Sequence, residues 1–248
     1  MVQRQAGTTP HDERAVVGLA LRHATALEHH RAGRHEVALP LLGQVLLGCR
    51  SVLGDHHPDT LTVEGNLAVV CVQAGHAEEG LDALRDVCEA RDQAFGPDDP
   101  RTLTAVECLA AAHLRLGLGH AGEAIRLGFE VAAARERVQG ATHPDTLTAR
   151  LGLGLAYAEA RAESQAIAVL TAALRDAEAA VGVHRVTIAI RAALACCRAV
   201  TGDADAVEEY DRAIAEAVAV LGDDHPDTVA LRDERRELGV PSPRAPVD

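Results

Sequence analysis

His57-Pro58-Asp59-Thr60-Leu61 returns four times along the chain. The later copies are Asp99-Pro100-Arg101-Thr102-Leu103, His143-Pro144-Asp145-Thr146-Leu147, His184-Arg185-Val186-Thr187-Ile188 and His225-Pro226-Asp227-Thr228-Val229. Their threonines lie 42, 44, 41 and 41 residues apart, a fixed period of the size that repeat architectures use. The segment has the chemistry of a helix start. Proline fits the first helical position, where its missing N–H is not needed, and an acid in the first turn meets the positive end of the helix dipole. The His or Asp before the proline then takes the N-cap.

Working outward from this motif, a second pattern follows at the same phase. Six residues after each threonine begin Asn66-Leu67-Ala68, Cys108-Leu109-Ala110, Gly152-Leu153-Gly154 and Ala193-Leu194-Ala195. The small residue at the third place lets a neighbouring helix come close. Breaks follow at Ala74-Gly75-His76, at 117–119, at Arg161-Ala162 and at Thr201-Gly202-Asp203. A second helix then runs through Gly80-Leu81 and Leu84, Ala124-Ile125, Ala166-Ile167 and Leu170, or Ala206-Val207 and Tyr210, with apolar residues at three- and four-residue spacing. Gly54, Gly96, Gly140, Gly182 and Gly222 stand where these second helices should end, each expected in the left-handed conformation that closes a last turn.

Helix, short turn, helix and short loop at this period resemble the tetratricopeptide repeat, in the long-loop form seen in kinesin light chains and many bacterial helical-repeat proteins. The family's small-residue places fall on Ala68, Ala110, Gly154 and Ala195 in first helices, and on Gly80, Ala124, Ala166 and Ala206 in second helices. The aromatic of the first helix survives only as Tyr157, with Cys71, His113 and Arg198 at the other copies, and the kinesin-type Asn only as Asn66. The resemblance implies an all-α fold: a right-handed superhelix, or α-solenoid, of about five helix-turn-helix repeats plus a C-terminal capping helix. The repeats are expected at 12–54, 57–96, 99–140, 143–182 and 184–222 and the capping helix at 225–239, so that the solenoid covers 12–239. The Pro-rich and polar ends, 1–11 and 240–248, are expected to be disordered tails.

Composition agrees. Aromatics make up only 2% of the residues, so the core must be built from Ala, Leu and Val, which favours close helix packing over long strands. A net charge of −13 argues against a direct nucleic-acid or anionic-membrane binder, since both need a basic face. Cys49, Cys71, Cys88, Cys108, Cys196 and Cys197 lack zinc-site spacing and read as small buried hydrophobes; the adjacent pair points about 100° apart on a helix, which places at least one of them in the core. With no apolar leader or membrane-length apolar run, the chain is expected in the cytoplasm.

The resemblance further implies that first helices line the concave face and that this groove takes the partner. In-phase positions give His23, His30 and Arg31 in the first repeat, Asn66, Val69 and Gln73 in the second, and Glu107, Ala111, Leu114 and Arg115 in the third. Leu151, Leu155 and Glu159 follow in the fourth, and Cys196 in the fifth. This lining is polar at the N-terminal end and apolar at the other, which suits an extended or helical peptide with one hydrophobic end.

No nucleophile elbow, phosphate loop or set-apart carboxylate pair occurs, so no catalytic residue is expected. His23, His29, His30 and His35 cluster in sequence, but no H-E-x-x-H spacing supports a metal, and helix capping already explains the histidines of the recurring motif. Neither metal nor cofactor is expected. The first reading is therefore a non-catalytic scaffold or adaptor for a protein or peptide. A second is a ligand- or peptide-responsive sensor acting on a separate transcription or signalling partner, and a third is an accessory subunit of an enzyme. The apolar runs Leu39-Pro40-Leu41-Leu42 and Val45-Leu46-Leu47 offer a candidate patch for a homodimer.

Overall fold

Each copy of the motif starts a helix, and its side chains show why. The imidazole Nδ1 of His57, His143, His184 and His225 accepts the backbone N–H two residues on, at 3.2, 3.1, 3.3 and 3.2 Å. At the second copy the Asp99 carboxylate accepts the Arg101 N–H at 2.9 Å. The threonines are buried, and three of their hydroxyls donate backwards to the glycine that closes the preceding helix: Thr60 to Gly54 O, Thr187 to Gly182 O and Thr228 to Gly222 O, at 2.8, 2.7 and 2.9 Å. The motif thus caps one helix and clasps the end of the one before it.

The computed structural model describes residues 10–237, with side chains from residue 14. Its helices are α1 (Pro10–Arg31), α2 (His35–Leu53), α3 (Pro58–Gln73), α4 (Ala77–Phe95), α5 (Pro100–Arg115), α6 (Ala121–Gln139), α7 (Pro144–Glu159), α8 (Glu163–Ala180), α9 (Arg185–Val200), α10 (Ala206–Leu221) and α11 (Pro226–Glu237). A 3-10 turn, Leu118–His120, precedes α6, and no strand occurs among the described residues. The fold is an all-α array of tetratricopeptide-type hairpins. Most of the expected tails lies outside the described residues, although Pro10 and His11 already belong to α1.

Gly54, Gly96, Gly140 and Gly222 have φ of +91, +90, +89 and +100° but ψ of +164, +164, +161 and +163°. This corrects the expectation of a left-handed helical closure. The chain leaves the helix in the mirror image of extended backbone, a region almost confined to glycine, because it must turn at once toward the next N-cap.

The chain forms two compact units, Met1–Ala112 and His113–Asp248. In the first, α1 packs on α2, α2 on α3 and α3 on α4. Its core gathers Leu19, Ala26, Leu42, Val45, Leu46, Cys49, Val63 and Val70. The homodimer patch needs correction here: Leu42, Val45 and Leu46 are buried, Leu39 and Leu41 lean on the same cluster, and Pro40 and Leu47, the latter 69% exposed, are the residues of the run that face outward. α2 is long and apolar enough to cross a membrane by composition alone; in this fold its apolar residues form the wall between α1 and α3.

In the second unit α6 to α11 pack in chain order, and α9 also touches α7. Leu147, Leu170, Leu174, Ile190, Leu194 and Cys197 form one core, and Ile188, Ala195, Tyr210, Ala213, Ala217 and Leu231 the next. The reading of all six cysteines as buried is also corrected. Cys49 and Cys197 are buried, Cys71, Cys88 and Cys108 half-buried, and Cys196 exposed, because it sits on the outward side of α9.

At the turns between first and second helices the backbone again needs positive φ. Gly33, Gly75 and Gly202 supply it, but the turn before α8 uses Arg161 at φ +59°. An L side chain there costs about 1 kcal/mol. Arg161→Gly should raise stability by about 0.5–1 kcal/mol, read as a higher urea midpoint with an unchanged slope.

Candidate functional site on the first-helix face

α1 and α3 meet through a polar contact as well as through the core. The Asn66 amide NH2 donates to His23 Nε2 at 2.9 Å. An amide nitrogen does not accept, so neutral His23 carries its proton on Nδ1. Both side chains are half-buried. Beside them α1, α2 and the start of α3 leave a cavity of about 180 Å³ walled by Val16, Leu19, Val45, Leu53 and Val63, with Ala20, His23, Cys49, Asp59 and Thr62 also on its lining.

Burial holds the His23 pKa below its ordinary 6.5, against the opposing pull of the Asp59 carboxylate. His30 is lowered too, first by burial and then by His35 and Arg31. In the window between these depressed values and 6.5 the unfolded chain binds more protons than the folded one, so stability falls as pH drops through it and is level above it. The thermal midpoint should therefore fall on going from about pH 7.5 to about pH 5.5, and by less in His23→Gln, which keeps a partner for Asn66. An equal fall in the variant would assign the pH dependence to other groups.

Other expected site residues of this unit sit nearby on the same helices. His30 closes α1 with its Nδ1 3.4 Å from that of His35 across the turn, and Arg31 is exposed beside it. Val69 and Gln73 are half-buried farther along α3; Glu107 is half-buried and Ala111 exposed on α5. The remaining residues belong to the second unit. Leu114 is half-buried and Arg115 exposed; Leu151 leans on the Leu147 core, whereas Leu155, Glu159 and Cys196 are exposed. His113, at the family's aromatic place, is buried with its Nδ1 3.1 Å from that of His120. Among the expected residues, His23 and Asn66 are brought into a direct hydrogen bond from different helices.

Solved structures share this fold. The kinesin light chain nearly identical TPR-like repeats of Podosopora anserina superpose with a TM-score of 0.68 at 23% identity, over 86% of this chain and 99% of that one. A thermophilic TPR protein of Thermus thermophilus gives 0.61 at 20% identity, over 89% and 98%. BtubC (BKLC) of P. vanneervenii gives 0.60 at 13% identity, over 97% of each chain. In sequence, residues 19–93 match the tetratricopeptide repeat family model. That segment is tetratricopeptide repeat by sequence, and the chain as a whole shares the fold of such arrays. No curated protein matches it in sequence.

Two features of this helical-repeat chain are not apparent from the groove positions. One is the cavity, whose walls come from α2 as much as from α1 and α3. The other is a set of buried arginines that tie a second helix to the start of the next first helix. Arg91 donates to the carbonyls of Arg101 and Leu61 at 2.7 and 3.4 Å, and Arg135 donates to the Asp145 carboxylate at 2.9 Å. Both stand five residues before a helix-closing glycine, and that in-phase recurrence was the signal available for them.

Proposed function

We propose that this chain is a non-catalytic scaffold that holds a segment of a partner protein or peptide against the first-helix face of its N-terminal unit, around His23 and Asn66. The tetratricopeptide fold is generally a non-catalytic scaffold for protein interaction, and that supports the class of function. The observation that carries the assignment to this face is the His23–Asn66 bond, which fixes two polar side chains beside an open, apolar-walled cavity. Half-buried polar groups on a rigid helical frame, next to an unfilled apolar recess, are the makings of a peptide site.

The test is retention of a partner from native lysate by the wild-type chain and by Asn66→Ala/Gln73→Ala, with equal helicity verified for both. A protein retained by the wild type and lost by the variant supports the site. Equal retention moves it elsewhere on the chain, and retention of nothing by either counts against the scaffold reading.

A further inference from the structure

The cavity has the size of one side chain. A dry apolar cavity of about 150 Å³ accepts benzene, so about 180 Å³ here has room for a phenylalanine ring or for the branched end of a leucine, whereas an alanine would leave its walls without contacts. Its mouth carries an acid. Asp59 is on the lining together with His23 and Cys49. Its side chain is 70% exposed, and among the described residues its ion-pair neighbour is His57 at 3.8 Å. The acids around it differ: Arg50 already holds Glu64 at 2.6 Å and reaches Asp55 at 3.5 Å. An incoming anion would therefore meet an engaged guanidinium and an open carboxylate, whereas a cation would meet the carboxylate alone. The net charge of −13 draws the same kind of partner.

We infer that the recess between α1, α2 and α3 takes one leucine- or phenylalanine-sized side chain of a bound peptide, and that Asp59 at its mouth selects a lysine or arginine next to that residue. This rests on the first-helix-face reading and names the chemistry of its partner. Recess and carboxylate act together: the apolar side chain gives most of the affinity by leaving water, and the exposed ion pair sets which neighbour is accepted.

The experiment is a selection of random twelve-residue peptides on the full chain, followed by fluorescence anisotropy of the enriched peptides. Binding is compared between the wild type, Ala20→Phe, Asp59→Asn and Asn66→Ala/Gln73→Ala. Ala20 is exposed on the rim, so a phenylalanine there occupies the recess from outside the core. The expected consensus is a large apolar residue beside Lys or Arg. Ala20→Phe should weaken binding about tenfold to a hundredfold, as should replacing the apolar residue of the peptide by alanine, which leaves the protein untouched. Asp59→Asn should weaken it up to about fivefold, with the difference vanishing at high salt. An acidic consensus, equal binding by Ala20→Phe and Asp59→Asn, or a selection that enriches nothing overturns the inference. Peptides lost in Asn66→Ala/Gln73→Ala but kept by Ala20→Phe would leave the face reading standing without the recess, and peptides kept by every variant would remove both.

Discussion

Gly80→Ala is expected to lower stability by about 3 kcal/mol, although alanine is ordinarily the better helix former by about 1 kcal/mol. A Cβ at Gly80 would lie 2.5 Å from Val72 Cγ2 and 2.9 Å from both the Ala68 carbonyl oxygen and the Val72 nitrogen. Two of these three atoms are backbone, so α3 and α4 must move apart, opening the core they share. Gly154→Ala meets Leu170 at 2.5 and 2.6 Å, but those are side-chain atoms that turn aside, so a smaller loss is expected there. Gly152 lies two residues away in the same helix, and a Cβ there meets nothing within 4 Å. Gly152→Ala should instead stabilise by about 0.5–1 kcal/mol. Urea unfolding followed by helical circular dichroism orders the three variants, and a Gly80→Ala midpoint at or above the wild-type value would contradict the close approach of α3 and α4.

Arg191→Met should cost about 3–5 kcal/mol at neutral pH. This arginine is 3% exposed and donates to Glu178, Glu209 and Glu216, at 2.5, 2.9 and 3.1 Å for the shortest bond to each. Burial opposes its charge, but the three carboxylates outweigh burial and hold the guanidinium protonated. Glu209 and Glu216 come from α10, so removing Arg191 leaves two half-buried acids of one helix without their shared base, with Arg198, at 3.2 Å from Glu209, remaining beside them among the described residues. Repulsion and lost hydrogen bonds then act in the same direction. Replacing Glu209 and Glu216 by Gln in the Arg191→Met background should recover part of the loss in urea unfolding. No recovery would show that lost packing, not uncompensated charge, carries the cost.

The helices were legible because their signals are local. The proline of the recurring motif, the acceptor before it and the glycine closing each second helix act within a few residues of one another, and each sits at a helix end in the structure. The small residues Gly80 and Gly154 were legible by phase, and their close contacts give the reason for their size. The site was less so. Its cavity depends on how three helices splay, which periodicity does not encode, and Asp59 serves at once as a first-turn acid and as part of the lining. The apolar run of α2 misled as a dimer patch because hydrophobicity alone does not say which face of a helix meets its neighbours. The hydroxyl bond from threonine to glycine was hidden for a different reason: the threonine was visible as the marker of the period, but its partner lies six residues back, across the turn.

That clasp has a genetic consequence. Thr60 and Gly54, or Thr228 and Gly222, lie close enough in sequence for one short segment of coding DNA to carry both ends of the fastening. A crossover between two such segments would hand each daughter chain a complete joint with its cap, turn and clasp, and would add or remove one hairpin without breaking a bond inside its neighbours. Thr102 and Thr146 are also buried, but their hydroxyls find no acceptor among the described residues, so the joints at the second and third copies of the motif are held without this bond. Arg91 and Arg135 tie those two joints instead, so a crossover there must carry the arginine of the preceding helix along with the motif.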